Sequence, residues 1–323
     1  MNTLLSILNK AVPGGGVLPG DAPELIVRKE STGVSPLDLI LGGGLPRRRI
    51  TLLMGAEGHG KSFVAHKLVA AFQQRGLSTV YVDVEKAFEP EWAVNLGIDL
   101  KSEKLVVAQP PAGEKAVNIV AEALKAGVDL VIVDSIASLV PTKLLESEAE
   151  DIFVGLLARL VNPAIGRWQQ LNEHSVLLLI NQIRDVIGTP IHEERVPGGR
   201  MQTYASSLTL RVRRHGWLTE KNKRIGFPMF FRVEKTKIPG VIPWSSCEVP
   251  FLFNGSLDVI EALVTTAVER GFIRQEGPHY FLGDEKIYGR NNVVTLFREN
   301  PELVEALLKE AKLEEGENAG SMS

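Results

Sequence analysis

The chain has 323 residues, 44% hydrophobic and 23% charged, with a formal net charge of −3. That length can bury one substantial α/β core and a small extra domain, while the slight acidity gives no bulk signal for nucleic acid. Its longest apolar runs, such as Ser175 to Ile180, are far too short to cross a bilayer. Met1 to Ala11 lacks the pattern of a signal peptide, and the single cysteine, Cys247, cannot form an internal disulfide. A cytoplasmic protein without a membrane span is expected.

Residues 2–11 (NTLLSILNKA) predict a short amphipathic helix, followed by Pro13-Gly14-Gly15-Gly16 and a flexible arm through residue 28. Strand-like runs follow at Ile50–Met54, Thr79–Val84, Leu105–Ala108, Leu130–Val133 and Val176–Ile180. Helix-like stretches lie between them at Ser62–Arg75, Glu89–Leu96, Glu114–Ala126 and Ala149–Leu171, the last expected to kink or break at Pro163. This alternation predicts an α/β fold with a mostly parallel sheet covered on both faces. After Gln182 the helices are expected to stop. Leu208–Arg214, Met229–Lys235 and Glu248–Phe253 then predict an antiparallel extension. The main domain is placed at residues 29–254. A small α+β domain is expected over 255–312, with a helix at Leu257–Arg270, short strands near Tyr280 and Tyr288, and a helix at Pro301–Lys312. Glu314, Glu315 and Glu317 among Gly, Asn and Ser predict a short acidic disordered tail over 313–323.

Gly55-Ala56-Glu57-Gly58-His59-Gly60-Lys61-Ser62 matches the phosphate-loop pattern G-x-x-x-x-G-K-[ST]. It follows an apolar strand and opens a helix, the setting in which backbone N–H groups and a helix N-terminus cradle phosphate. Lys61 is expected to meet the β- and γ-phosphates of ATP, and Ser62 to ligate Mg²⁺. Asp134, closing the run Leu130–Val133, is the candidate second Mg²⁺ residue. Glu85 closes Val82-Asp83-Val84. On the residues alone it is either the base that deprotonates the attacking water or a helix-capping acid.

Ser31-Thr32-Gly33, Gly42-Gly43-Gly44-Leu45-Pro46, Val82 to Pro90 (VDVEKAFEP), Gln109-Pro110, Asn181-Gln182-Ile183-Arg184, Gly198-Gly199 and Phe297 to Glu302 (FRENPE) occur in the order found in RecA-type recombinases. The chain resembles that family over about residues 29–312. The resemblance implies a RecA-like P-loop ATPase core, with Glu85 as catalytic base and Gln182 sensing the γ-phosphate. It places Trp92 on the adenine ring and Glu89 at the base edge. It further implies DNA contacts at Val154, Arg159, Arg184, Ile187, Gly198, Gly199 and Arg200, with a first loop at 146–155 and a second at 183–199. Val154 and Ile187 match residues that wedge between base triplets, although loop or helix packing is the plainer reading of each. Lys235 and Lys237 match lysines that reach ATP bound to a neighbouring subunit, whereas unaided they read as solvated surface. A head-to-tail filament would follow, with residues 2–11 offering an apolar face to the neighbour.

The implied function is an ATP-dependent recombinase that coats single-stranded DNA and pairs it with homologous duplex. A hexameric helicase or motor ATPase shares the core and is the alternative, and a DNA-independent scaffold is a third. Three features depart from the family. His59 replaces a small hydroxyl residue and is expected to point outward. Asp185 stands beside Arg184, and Glu193-Glu194 makes the second loop acidic. Between Arg211 and Lys237, five arginines and four lysines face two glutamates, a net +7. That stretch suits phosphates or simply solvated outer strands.

Overall fold

The computed structural model describes residues 3–146, 153–185 and 194–320. Helix α1 (Thr3–Ala11) leads through an irregular arm to the ribbon of β1 (Lys29–Glu30) and β2 (Leu45–Pro46), which flanks α2 (Ser35–Ile40). The chain then alternates as the periodicity predicts. In order come β3 (Arg49–Gly55), α3 (Lys61–Gln74), β4 (Thr79–Asp83), α4 (Pro90–Asn95), β5 (Leu105–Ala108), α5 (Gly113–Lys125), β6 (Leu130–Asp134), α6 (Thr142–Leu145), α7 (Phe153–Leu171) and β7 (Val176–Gln182). The predicted start of α7 at Ala149 lies outside the described residues. Within the helix there is no break, and α7 runs through Pro163. Tertiary packing outweighs the lost backbone bond, since Leu157, Val161, Ala164, Ile165 and Trp168 are all buried on one face.

Beyond Gln182 the expectation of strands alone needs correction. The pair β8 (Arg184–Asp185) and β9 (Glu194–Arg195) is followed by a short helix, α8 (Met201–Ala205). Strand β10 (Leu208–Arg214) pairs in parallel with β3, so the antiparallel extension begins one strand later. It comprises β11 (Leu218–Glu220), the long β12 (Lys223–Thr236) and β13 (Ser246–Leu252). The nine-stranded sheet has the order β11-β12-β10-β3-β7-β6-β4-β5, with β13 also paired to β12.

Residue alternation splits the central strands between two cores. Leu53, Ile132, Leu178 and Ile180 pack beneath α3 and the antiparallel strands, while Leu52, Val131, Val133, Leu177 and Leu179 pack beneath α5 and α7. A third cluster gathers α9 (Val259–Glu269), α10 (Arg290–Glu299) and α11 (Pro301–Gly320) around the sheet of β14 (Arg274–Glu276), β15 (His279–Leu282) and β16 (Glu285–Tyr288). Leu39 of α2 belongs to this third cluster and joins it to the main body. Helix α11 extends to Gly320, so residues 313–320 are helical rather than a disordered tail. Leu313, Glu314, Glu315, Glu317 and Ala319 are good helix formers, and they continue a helix already formed from Pro301 despite the acidic composition. No helix among the described residues is long and apolar enough to cross a membrane.

Asp129 fixes the lower ends of the strands. Its Oδ2 accepts from Ser78 N and Oγ (both 2.9 Å), just before β4. Its Oδ1 accepts from an Arg47 guanidinium N–H (3.0 Å), before β3, and lies 2.9 Å from His174 Nε2, before β7. These bonds outweigh burial and hold the carboxyl well below its ordinary range. Because the folded-state value is depressed, the stabilisation is complete above the unfolded-state value near 4 and disappears as pH falls below it. Asp129→Ala should cost about 2–4 kcal/mol at neutral pH, with the difference from the parent shrinking below about pH 4. Urea unfolding across this pH range measures both effects.

Candidate nucleotide site and nucleic-acid interface

Parallel pairing brings the upper ends of four strands to one edge. Gly55 stands opposite Gln182, and Asp83 opposite Asp134. The phosphate loop leaves β3 at Gly55, where an added Cβ would lie 2.4 Å from Val212 O. It enters α3 through Gly60, whose φ of 86° is left-handed and whose added Cβ would lie 2.7 Å from Met229 Sδ. Glycine is therefore required at both ends for space, and at the second also for conformation.

Lys61 is buried, and its Nζ donates to Ala56 O across the loop at 2.8 Å. Burial lowers its pKa, opposed by Asp134, Glu85 and Glu57. Asp134 is also buried, accepts from Tyr81 Oη at 2.6 Å and has the Ser62 hydroxyl beside it. Burial raises its pKa against both hydroxyls. Among the described residues no group of three or more His, Cys, Asp or Glu could hold a metal. A single hydroxyl–carboxylate pair nonetheless fits Mg²⁺, which keeps water and takes phosphate oxygens as its other ligands.

Glu85 is exposed at the mouth of this edge, where its Oε1 accepts from Ser135 Oγ (2.5 Å), Ser138 Oγ (3.1 Å) and Gln182 Nε2 (3.3 Å). The loop carrying it is set by Asp83, which accepts from the Ala87 and Phe88 amides (3.1 and 3.0 Å) and from Gln109 Nε2 (2.7 Å). Sequence reasoning missed Asp83, Tyr81, Ser135 and Ser138. The alternation in Tyr81-Val82-Asp83 signals that residues 81 and 83 share a face, but not what they meet there. Glu89 is exposed at the start of α4, and Trp92 is half-buried, its ring 3.5 Å from where a Gly255 Cβ would stand. The expectation for His59 is overturned. Its ring turns toward the Val212 carbonyl, Nδ1 is buried without a hydrogen-bond partner, and burial lowers its pKa.

The second loop is pinned where it returns. Asn181 Nδ2 donates to Pro197 O (2.8 Å) and Gln202 Oε1 (2.6 Å), and Gln202 Nε2 donates to Gly199 O (3.0 Å). Gly198 and Gly199 are left-handed, with added Cβ atoms 3.0 Å from Ile136 and 2.9 Å from Asn162. Close packing thus explains this glycine pair in the isolated chain. Arg159 and Arg200 are exposed. Ile187 lies outside the described residues, as do the side chains of Val154 and Arg184. Lys235 and Lys237 both donate to Tyr204 O (3.2 and 2.9 Å), at the end of α8, and Lys235 also to Ser206 O (2.9 Å). The basic stretch is partly neutralised. Arg211 pairs with Glu194 of β9 and lies 3.8 Å from Glu234, which also binds Arg232 at 2.6 Å.

A family model described as the RecA N-terminal domain matches residues 1–258. The chain belongs to the RecA family. The RecA protein of Chlorobaculum tepidum is 35% identical over 311 residues, covering 94% of this chain and 89% of the relative. That of Thermus aquaticus is 34% identical (95% and 91% covered), and that of Aquifex aeolicus 33% identical (95% and 90% covered). RecA-family membership agrees with the order of motifs along the chain, and no comparison supports a helicase.

Gly60→Ala tests the loop geometry. It should lose about 1–2 kcal/mol to the left-handed backbone alone, more from the Met229 contact, and bind ATP at least tenfold more weakly. Thermal melting and titration with a fluorescent ATP analogue measure the two effects.

Proposed function

We propose that this chain carries out ATP-dependent recombination by coupling hydrolysis at the Gly55–Ser62 loop to DNA held by the segment beginning at Gln182. Lys61 meets the β- and γ-phosphates, Ser62 and Asp134 hold Mg²⁺, and Glu89 and Trp92 receive the adenine. Bound Mg²⁺ would neutralise charge on the phosphate oxygens. Glu85 takes a proton from water as it attacks the γ-phosphate. The observation that carries this reading is the 3.3 Å contact between Gln182 Nε2 and Glu85 Oε1. It joins the candidate base to the residue from which the second loop departs. A shift of Gln182 toward a γ-phosphate alters the base and the loop together, which is the physical content of coupling.

Single-stranded DNA is the proposed partner, with homologous duplex as the second, bound through Val154, Arg159, Arg184, Ile187, Gly198, Gly199 and Arg200. Head-to-tail self-association into a helical filament in the cytoplasm completes the assembly. In it Lys235 and Lys237 exchange their carbonyl partners on α8 for the ATP of the next subunit, and α1 docks its exposed Ile7 and Leu8 on that neighbour.

Two measurements test this function. Glu85→Gln should bind ATP normally and slow DNA-stimulated hydrolysis by about 10²-fold, and full turnover would remove Glu85 from catalysis. The double substitution Lys235→Ala, Lys237→Ala should leave ATP binding by the protomer intact while abolishing DNA-stimulated hydrolysis and long filaments. Negative-stain images with single-stranded DNA and a slowly hydrolysed analogue score the filaments, and long active ones would return both lysines to the ordinary surface.

A further inference from the structure

The turn following β6 carries two hydroxyls that none of the roles above uses. Residues Ile136–Ser138 form a single 3₁₀ turn entered from Ser135, with Ser138 N donating to Ser135 O at 3.1 Å. Side chains three apart on such a turn eclipse, which places the two Oγ atoms 3.2 Å apart. Both hydroxyls lie within hydrogen-bonding distance of the same oxygen of Glu85, at 2.5 and 3.1 Å. Gln182 reaches that oxygen from a different strand and at longer range, 3.3 Å. A carboxylate offers about four acceptor sites over its two oxygens. That is about two on each, so three donors more than fill Oε1, and none of these bonds engages Oε2.

We infer that Ser135 and Ser138 are positioning residues that anchor Oε1 of Glu85, so that Oε2 is presented to the attacking water. The inference rests on the reading of Glu85 as the base. In the step, the water oxygen bonds to the γ-phosphorus as its proton passes to Glu85 Oε2. The bond from that phosphorus to the bridging oxygen breaks, and its electron pair leaves with ADP. Ser135 is wholly buried beside Asp134 and forms the rigid half of the anchor. Ser138 is half-exposed, so its hydroxyl can be removed without opening the core. The pair also separates two duties at the site. Gln182 can leave Oε1 for a phosphate, while the serines keep the carboxylate where the water must be met.

The test uses the full chain with ATP, Mg²⁺ and single-stranded DNA. Ser138→Ala should lower the DNA-stimulated kcat by about 10- to 100-fold, the scale of misplacing a reacting group by about an ångström. KM for ATP should stay within about twofold, because the hydroxyl acts on the base and not on the bound nucleotide. Ser138→Thr keeps the hydroxyl and should recover most of the rate. An unchanged kcat in Ser138→Ala overturns the inference. So does a rise in KM parallel to the fall in kcat, or a threonine variant as slow as the alanine one. Glu85→Gln assayed alongside separates the two claims. If it is slow while the Ser138 variants are not, only the positioning role fails, and if it turns over fully, the base assignment fails first.

Discussion

The site depends on the common level at which parallel strands end. Asp129 ties the lower ends of β3, β4, β6 and β7 through Arg47, Ser78 and His174, and the ladders carry that alignment upward. Gly55, Asp83, Asp134 and Gln182 consequently finish at the same edge, although up to 127 residues of sequence separate them. No side chain at the site could supply this alignment itself. Register comes first, and the chemistry inherits it.

Much of the architecture was legible because its signals are local. The phosphate loop lies between an apolar strand and a helix, and the strands of the parallel sheet appear within a residue or two of their predicted bounds. The errors share a cause in partners that lie far away in sequence. Trp168 and its neighbours hold α7 continuous through Pro163, and β10 pairs in parallel with β3, a choice its own residues do not announce. The orientation of His59 has the same origin, since it depends on the Val212 carbonyl. Lys61 carried a sequence signal in the phosphate-loop pattern, and Asp134 and Glu85 carried one in their strand ends, whereas Ser135 and Ser138 became visible only through the atoms around Glu85.

Charge is distributed differently than the linear sequence suggests. The net +7 between Arg211 and Lys237 is only partly an open basic face, with Lys221, Lys223 and Arg224 exposed. Glu194 and Glu234 engage Arg211, Glu234 also engages Arg232, and Lys235 and Lys237 donate to backbone carbonyls. A phosphate approaching Arg211, Arg232, Lys235 or Lys237 competes with partners already in place, so each of those contacts is an exchange rather than an addition. Glu194 of the second loop is thereby part of the electrostatics of the strand face, not merely a defect in a DNA-binding segment.

The clamp formed by Asn181 and Gln202 has a mechanical meaning. It fastens residues 197 and 199 to the strand from which residue 183 departs, and the pairing of β8 with β9 closes the segment a second time. Both feet of the loop stand on the end of β7. A loop mounted in this way is a handle. Whatever grips it, the pull is delivered to the strand end that bears Gln182, one hydrogen bond away from Glu85.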